Sequence, residues 1–386
     1  MIPLIRLRGR PGDCGLQHAA HVAWMFEEAV RGAYLDDISA ANRVPRELIR
    51  VQAGAWLERL PLWAQEEIDG MSRGVRRRVP DVAEFVYADI ATSSGGVNSI
   101  EMPGVEREIL SGGGVDAGGA MCTAVVTPVE RVAWVARNCD WLWATLRRGC
   151  SAVVHEVPGR HAVMAVGIHG DIDIDTGVNA RGLWLHLHTL PSSDKSRVGR
   201  TRFSWLFWAR EALETCATLD ELEAFIAATD RDRGVLVIAV DGKTNQAALF
   251  ECGRATYERV RAGEGAHGLR GSIVATNHCQ ARHPPDEAFA PRDGAPARAS
   301  RRGSTVRRYQ RVCEILRCGE VEHPAHDLAE ILADDEVEMR DPVHLRTIYS
   351  AVCAPAAREL WFAHGDFGSR SPAASSGTWQ RVEWPW

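Results

Sequence analysis

Residues 118–127, GGAMCTAVVT, decide how this chain is read. Small, flexible residues run up to Cys122, and a β-branched, strand-like run leaves it. A thiol at such a junction is either a buried core cysteine at a strand start or a nucleophile whose position matters. Free cysteine is among the most buried side chains, so its neighbours must decide.

Downstream of Cys122 the pattern is that of short strands: CTAVVTP, RVAWVARN, CSAVVHEV, HAVMAVGI and GLWLHLHTL are β-branched or aromatic runs separated by turn residues. WLFWAREALETCATLDELEAFIAAT returns to helix, with Thr218 and Glu221 at capping-box spacing. GVLVIAVDGKTNQAALFECG reads as a hairpin and SIVATNHC as a further strand. Residues 281–303 are rich in Pro, Ala and Arg and read as a long loop. Two helices, STVRRYQRVCEILRC and HPAHDLAEILADDEV, follow, and TIYSAVCAP with ELWFAHG makes a closing hairpin. Upstream, residues 16–68 and 80–93 carry apolar residues at helical spacing, and the glycine-rich stretch 93–120 lacks periodicity. The expected organisation is a mainly helical region, 1–121, either a pro-segment or an α-chain-like part, and a catalytic region, 122–386, in one compact unit. The expected class is α+β, a sandwich of sheets with helices outside.

With 386 residues, 45% hydrophobic and 25% charged, the chain has ample material for a large core. A net charge of −6 gives no general electrostatic case for nucleic acid. No apolar run approaches the roughly 20 residues that span a bilayer, and no signal-like block opens the chain. Cytoplasmic location without a membrane partner is therefore expected. None of the ten cysteines forms a Cys-x-x-Cys pair, so no metal site is expected.

A cysteine performs acyl chemistry when it is accessible, when something takes its proton, and when a donor holds the oxyanion. ARNCDW puts Arg137 and Asp140 on the strand expected to pair with that of Cys122, where two charges need mutual satisfaction. TNHC ends a strand with Asn277, a natural oxyanion donor, and His278, a proton carrier near neutral pH. Taken singly, the ion pair could be structural and the Asn-His could be turn chemistry.

LRGRPGDCGLQHAA, MCTAVVT, ARNCDW, GVNARGL, TNHC and TIYSAVCAP with ELWFAHG come in an order that resembles the isopenicillin N acyltransferase family, cysteine members of the N-terminal-nucleophile hydrolases. The resemblance covers about residues 5–365. It implies an αββα sandwich and self-cleavage just before Cys122, the nucleophile, whose freed α-amino group then accepts the proton. It also implies that Arg137 and Asp140 hold the thiolate and amine, that Asn277 stabilises the oxyanion, and that Arg308 is a second supporting arginine. A guanidinium beside a thiol favours the thiolate, the attacking form. The family relation leaves room for the amide synthetases of lincosamide antibiotic pathways, which use a carrier-protein thioester.

Two departures stand out. Met121 occupies the place where the family usually has Gly, and His188, in LWLHLHT, stands at or beside a position where it often has a further oxyanion-donating Asn. If the chain is uncut, His188 and His278 are the candidate bases. Asp171, Asp173 and Asp175 alternate in GIHGDIDIDTG but lack an EF-hand's glycine and final Glu, Gly182 standing there instead. Asp171 and Asp173 are expected to attract an amine acceptor, and the basic run 297–308 to attract the phosphates of phosphopantetheine on coenzyme A or an acyl or peptidyl carrier protein. No bound cofactor is expected.

Three function classes follow: an amide-forming acyltransferase in secondary metabolism fed by an acyl thioester, a self-processed amidohydrolase cutting small N-acyl compounds, and an inactive ligand-binding relative. Retention of Cys122, Arg137, Asp140 and Asn277 argues against the last.

Overall fold

The computed structural model describes residues 2–28, 33–42, 45–93, 121–190, 204–231, 234–262, 269, 271–281, 301–340 and 345–386. The glycine-rich stretch from 94 and most of the Pro/Ala/Arg-rich stretch lie outside the described residues.

Two sheets form the centre. The larger has eight strands in the order β1 (Leu4–Arg8), β4 (Cys150–Glu156), β5 (Val163–Ile168), β6 (Thr176–Asn179), β7 (Leu183–Thr189), β8 (Val235–Asp241), β9 (Gln246–Cys252), β10 (Tyr257–Arg261). The smaller has six, in the order β11 (Ile273–Ala275), β2 (Met121–Val129), β3 (Val132–Leu142), β12 (Leu345–Ala354), β13 (Glu359–His364), β14 (Gln380–Arg381). Pairing is antiparallel except β1 with β4.

Strand alternation explains the layers, because successive side chains face opposite sides. On the smaller sheet Ala124, Val126, Val135 and Cys139 face inward and join Val166, Val178, Trp184 and Ile238 of the larger sheet in one core. The alternate residues Val125, Trp134, Ala136 and Val352 face α8 (Arg301–Cys318) and α9 (Pro324–Ala333) through Val312, Leu328 and Ile331. The other face of the larger sheet, with Leu183, Leu185, Leu187 and Val237, is covered by Phe207, Leu213 and Leu222 of α6 (Trp205–Thr215) and α7 (Leu219–Ala228). The N-terminal helices α1 (Pro11–Glu28), α2 (Ala33–Asn42), α3 (Arg46–Leu57), α4 (Leu62–Val75) and α5 (Val79–Ser93) share that cluster. Helices, sheet, sheet and helices are thus stacked in the expected αββα order. Continuous burial of all seven residues of β8 follows from having both faces covered.

Two features hold the N-terminal helices in place. α1 and α4 meet backbone to backbone at glycines: a Cβ on Gly15 would lie 1.9 Å from Glu67 O, and one on Gly70 2.0 Å from Gly12 O. Beside this contact Arg210 of α6 forms an ion pair with Glu67 (2.8 Å) and donates to Glu214 (3.0 Å), with His155 of β4 at 3.6 Å from Glu67. His18 of α1 is fully buried near this cluster, and burial holds its pKa down at about 3.

The helix and strand assignments hold broadly. The region before Cys122 also supplies β1, and β6, β10 and β14 were not foreseen. Residues 301–303 belong to α8 rather than to a loop. Thr218 caps α7 by accepting from Glu221 N–H (3.2 Å), while Glu221 reaches Ala217 N–H (2.5 Å) rather than the cap residue's own. Among the described residues, no helix is long and apolar enough to cross a membrane.

Candidate active site

Cys122 is the second residue of β2 and is 2% exposed. β11 pairs with β2 only as far as Ala275 opposite Ala124, so the ladder ends short of Cys122. The chain leaves β11 through Thr276–Asn277–His278, and the Asn277 side chain replaces the missing bond: its Oδ1 accepts from Cys122 N–H at 2.8 Å. Arg308 of α8 completes the substitute ladder by donating to Cys122 O (2.5 Å), Thr123 Oγ1 (2.7 Å) and Asn277 Oδ1 (3.1 Å). Two donors converging on Oδ1 fix the orientation of the amide, whose Nδ2 donates to Thr189 O (3.0 Å). Arg308 is therefore a framework residue of the site, engaged by protein groups rather than presented on a basic surface.

The Cys122 side chain points into the space between the sheets. Arg137 Nη2 lies 3.3 Å from its sulfur, and Leu187 O lies 4.0 Å away. Cys139 stands directly across from it on β3, its thiol donating to Asp175 Oδ2 (3.5 Å). Arg137 is fully buried and held by the Asp175 carboxylate (3.0 Å), Asp175 O (3.1 Å) and Thr176 Oγ1 (2.6 Å), under the Tyr349 ring at 5.3 Å. Tyr349 Oη donates to Asp175 Oδ2 (2.9 Å).

The expected Arg137–Asp140 partnership is corrected. Three residues apart on one strand, they face opposite sides of the sheet. Arg137 reaches the inter-sheet space with Cys139, whereas Asp140 faces α8 and lies 3.7 Å from Arg308. Thr347 Oγ1 donates to Asp140 Oδ1 (2.7 Å), and Oδ2 has no hydrogen-bond partner among the described residues. Burial pushes Asp140 up to about 6, against the opposing pull of Arg308.

His188 on β7 is fully buried. Its Nδ1 meets Thr276 O at 2.7 Å, and a carbonyl only accepts, so Nδ1 carries the hydrogen. Burial first, then Arg137, holds the ring's pKa well below the ordinary value. The ring is thus neutral, with a bare Nε2 that has no partner among the described residues. Such a nitrogen can take a proton and cannot give one to an oxyanion. His278, by contrast, lies with Nδ1 at 3.0 and 3.1 Å from the hydroxyls of Thr276 and Thr305, its ring edge-on to Tyr309.

Of the three aspartates, Asp171 pairs with Arg148, at 2.5 Å, and Asp175 is the one that reaches Arg137. Asp175, Thr176, Tyr349, Thr347 and Cys139 belong to the site without having been singled out as site residues. Asp175 had a signal in the alternating acidic run, and Cys139 lies within ARNCDW. The hydroxyl residues sit in ordinary strand sequence.

With this geometry in place the comparisons can be weighed. The pattern of the family described as AAT, acyl-coenzyme A:6-aminopenicillanic acid acyl-transferase, matches residues 127–369, well over half of the chain. The chain belongs to this family. The match covers Arg137, Asp140, His188, Asn277 and Arg308, and begins just after Cys122. Membership makes this AAT-family chain an enzyme of acyl transfer or amide hydrolysis on acyl compounds, and bears out the resemblance read from its motifs. Solved structures similar to it include a variant of the conjugated bile acid hydrolase of Clostridium perfringens (12% identity, TM-score 0.45, covering 68% of this chain and 97% of that one). Others are the N-acylethanolamine-hydrolyzing acid amidase orthologue of Caenorhabditis elegans (15%, 0.43, 61% and 93%) and penicillin V acylase from Agrobacterium tumefaciens (15%, 0.40, 63% and 82%). No curated protein matches this AAT-family sequence.

Proposed function

We propose that this enzyme forms amides: Cys122 takes an acyl group from a phosphopantetheine thioester, and an amine then takes it from Cys122. One observation carries the reading. A buried thiol with a guanidinium at 3.3 Å shares the inter-sheet space with a neutral histidine whose Nε2 is open. The family description, which specifies an acyl-coenzyme A, supports a coenzyme A thioester as donor, and a carrier-protein thioester shares its phosphopantetheine arm.

In this account Arg137 holds the thiolate charge and Asp175 holds Arg137. The sulfur attacks the thioester carbonyl, and Asn277 stabilises the oxyanion from its amide nitrogen, oriented by Thr189. The donor departs as its thiolate, which takes a proton from solvent, and leaves acyl-Cys122. His188 Nε2 then takes a proton from the attacking amine and returns it to the Cys122 sulfur as the C–S bond breaks. Burial favours amine over water, because a pocket that excludes water protects the acyl-enzyme from hydrolysis. A role in secondary metabolism, with a carrier-protein partner, is the setting that a thioester-fed amide synthesis fits.

The test supplies acyl N-acetylcysteamine thioesters with primary amines in one series and the corresponding amides with water in another. Amide product in the first series, dependent on Cys122, is the expected result. Turnover confined to the second series makes the protein an amidohydrolase and overturns the proposal.

A further inference from the structure

β7 sets His186 and His188 on one face, because residues two apart on a strand point the same way. Trp184, two residues earlier, lies in the core between the sheets, so both rings enter the inter-sheet space that holds the Cys122 sulfur. Their ring centres are 5.2 Å apart. His186 stands opposite Thr176 in the β6–β7 ladder, and opposed residues on paired strands lie about 4.5–5.5 Å apart at Cβ. Thr176 Oγ1 accepts from Arg137 Nη1 (2.6 Å), and the Nη2 of the same guanidinium lies 3.3 Å from the sulfur. His186 is therefore a neighbour of the groups that hold the nucleophile.

The two rings are locked in opposite tautomers. An indole N–H only donates, and Trp184 Nε1 lies 3.0 Å from His186 Nδ1, so Nδ1 is the bare nitrogen and Nε2 carries the hydrogen. His188 is the reverse, with its hydrogen on Nδ1. Burial first, then Arg137 and His188, holds the His186 pKa well below the ordinary value, so the ring stays neutral. The side chain is fully buried, and its Nε2–H has no hydrogen-bond partner among the described residues. Buried donors are almost always paired, so one left open calls for a partner that arrives from outside. The Asn277 amide nitrogen, by comparison, already donates to Thr189 O (3.0 Å).

We infer that His186 is a catalytic residue of the Cys122 chemistry, a donor whose Nε2–H holds the oxygen of the acyl carbonyl when the sulfur attacks. The inference rests on Cys122 as the acyl carrier and adds a second oxyanion donor to Asn277. As the S–C bond forms, the carbonyl π pair moves onto oxygen, and the Nε2–H hydrogen bond tightens without giving up its proton. Collapse restores the C=O bond and expels the donor thiolate. Attack of the amine on acyl-Cys122 raises the oxyanion again, while the bare Nε2 of His188 accepts from the amine N–H. The pair presents one donor and one acceptor to a tetrahedral intermediate that carries one of each.

Two substitutions separate the two edges of the ring. His186→Asn keeps an acceptor for Trp184 near the Nδ1 place and removes the donor, whereas His186→Gln keeps an N–H near the Nε2 place. In the full-length protein, the burst of thiol release from an acyl N-acetylcysteamine thioester should slow about 10²- to 10³-fold in His186→Asn and less than about tenfold in His186→Gln. Alkylation of Cys122 by iodoacetamide forms no oxyanion and should keep its wild-type rate in both. A wild-type burst rate in His186→Asn, equal losses in the two variants, or a parallel fall in alkylation overturns the donor role. If the wild type itself gives no burst, the thioester donor is wrong, and the same comparison is made on amide hydrolysis, where Cys122 raises the same oxyanion. If a variant does not fold, as judged by circular dichroism, NMR of the wild type with isotope-labelled histidine decides the matter. The proton of the Nε2-protonated ring should move downfield when an aldehyde of the same acyl chain forms a hemithioacetal with Cys122. Adduct formation without that shift overturns the inference.

Discussion

Replacing Asp140 with Asn should stabilise this protein. Asp140 is fully buried, and its carboxyl is raised from 3.8 to about 6, burial outweighing Arg308 and Thr347. The folded state therefore holds the Asp140 proton more tightly than the unfolded chain does. A raised folded pKa gives stability that is fully present below the unfolded value and is lost as pH rises through the folded one. Each unit is worth about 1.36 kcal/mol, so ionising Asp140 costs about 3 kcal/mol by pH 8. Asn mimics the protonated form: its oxygen still accepts from Thr347 and its amide needs no counter-charge. Urea denaturation of wild type and Asp140→Asn at pH 4, 6 and 8 measures the difference. We expect near equality at pH 4 and an advantage for Asn of about 3 kcal/mol at pH 8. A variant less stable than wild type at pH 8 would refute the reasoning, because the Arg308 pairing would then outweigh burial.

Other outcomes follow from the same geometry. Cys122→Ala should cut acyl transfer by at least about 10⁴-fold with the far-ultraviolet spectrum unchanged, as removal of a covalent nucleophile does; turnover near wild type would exclude the mechanism. His188→Gln should lower kcat about 10²- to 10⁴-fold with a smaller effect on KM for the thioester, and an unchanged kcat would remove it as the base. His18, held down at about 3, opposes acid: a depressed histidine gives stability that is lost as pH falls below 6.5, about 2 kcal/mol by pH 5, and His18→Leu should flatten that limb of a melting-temperature profile. Gly15→Ala should destabilise by about 1–3 kcal/mol or more, because its Cβ meets the Glu67 backbone at 1.9 Å; an unchanged denaturation midpoint would contradict the close crossing of α1 and α4.

Much of the fold is legible because periodicity marks it. The two-residue alternation through RVAWVARN and the amphipathic spacing of α1 to α5 are properties of the elements themselves. β1 escapes because LIRLR is short and pairs with β4, nearly 150 residues further on, a partnership without a local signal. The site is legible in part. Cys122, Arg137, Asn277 and His188 come together between β2, β3, β7 and the end of β11. The expected Arg137–Asp140 pair could have been excluded by counting, since an odd separation on a strand puts two side chains on opposite faces. Instead Asp175 holds Arg137, and Arg308 approaches Asp140. Such pairings depend on how the sheets stack and on where α8 lands, and the linear sequence does not encode either locally. The open Nε2 of His188 is likewise a consequence of the Thr276 carbonyl, 88 residues away in the chain.

The central claim is that Cys122 carries the acyl group, and one measurement addresses it directly. The protein is mixed with an acyl N-acetylcysteamine thioester without amine, quenched in acid within the burst, digested and mapped by mass spectrometry. The account predicts the acyl mass on the peptide containing Cys122 in wild type, its accumulation in His188→Gln, and its absence from Cys122→Ala. An acyl group on another residue in a protein that still turns over, or an equal adduct in Cys122→Ala, would contradict it.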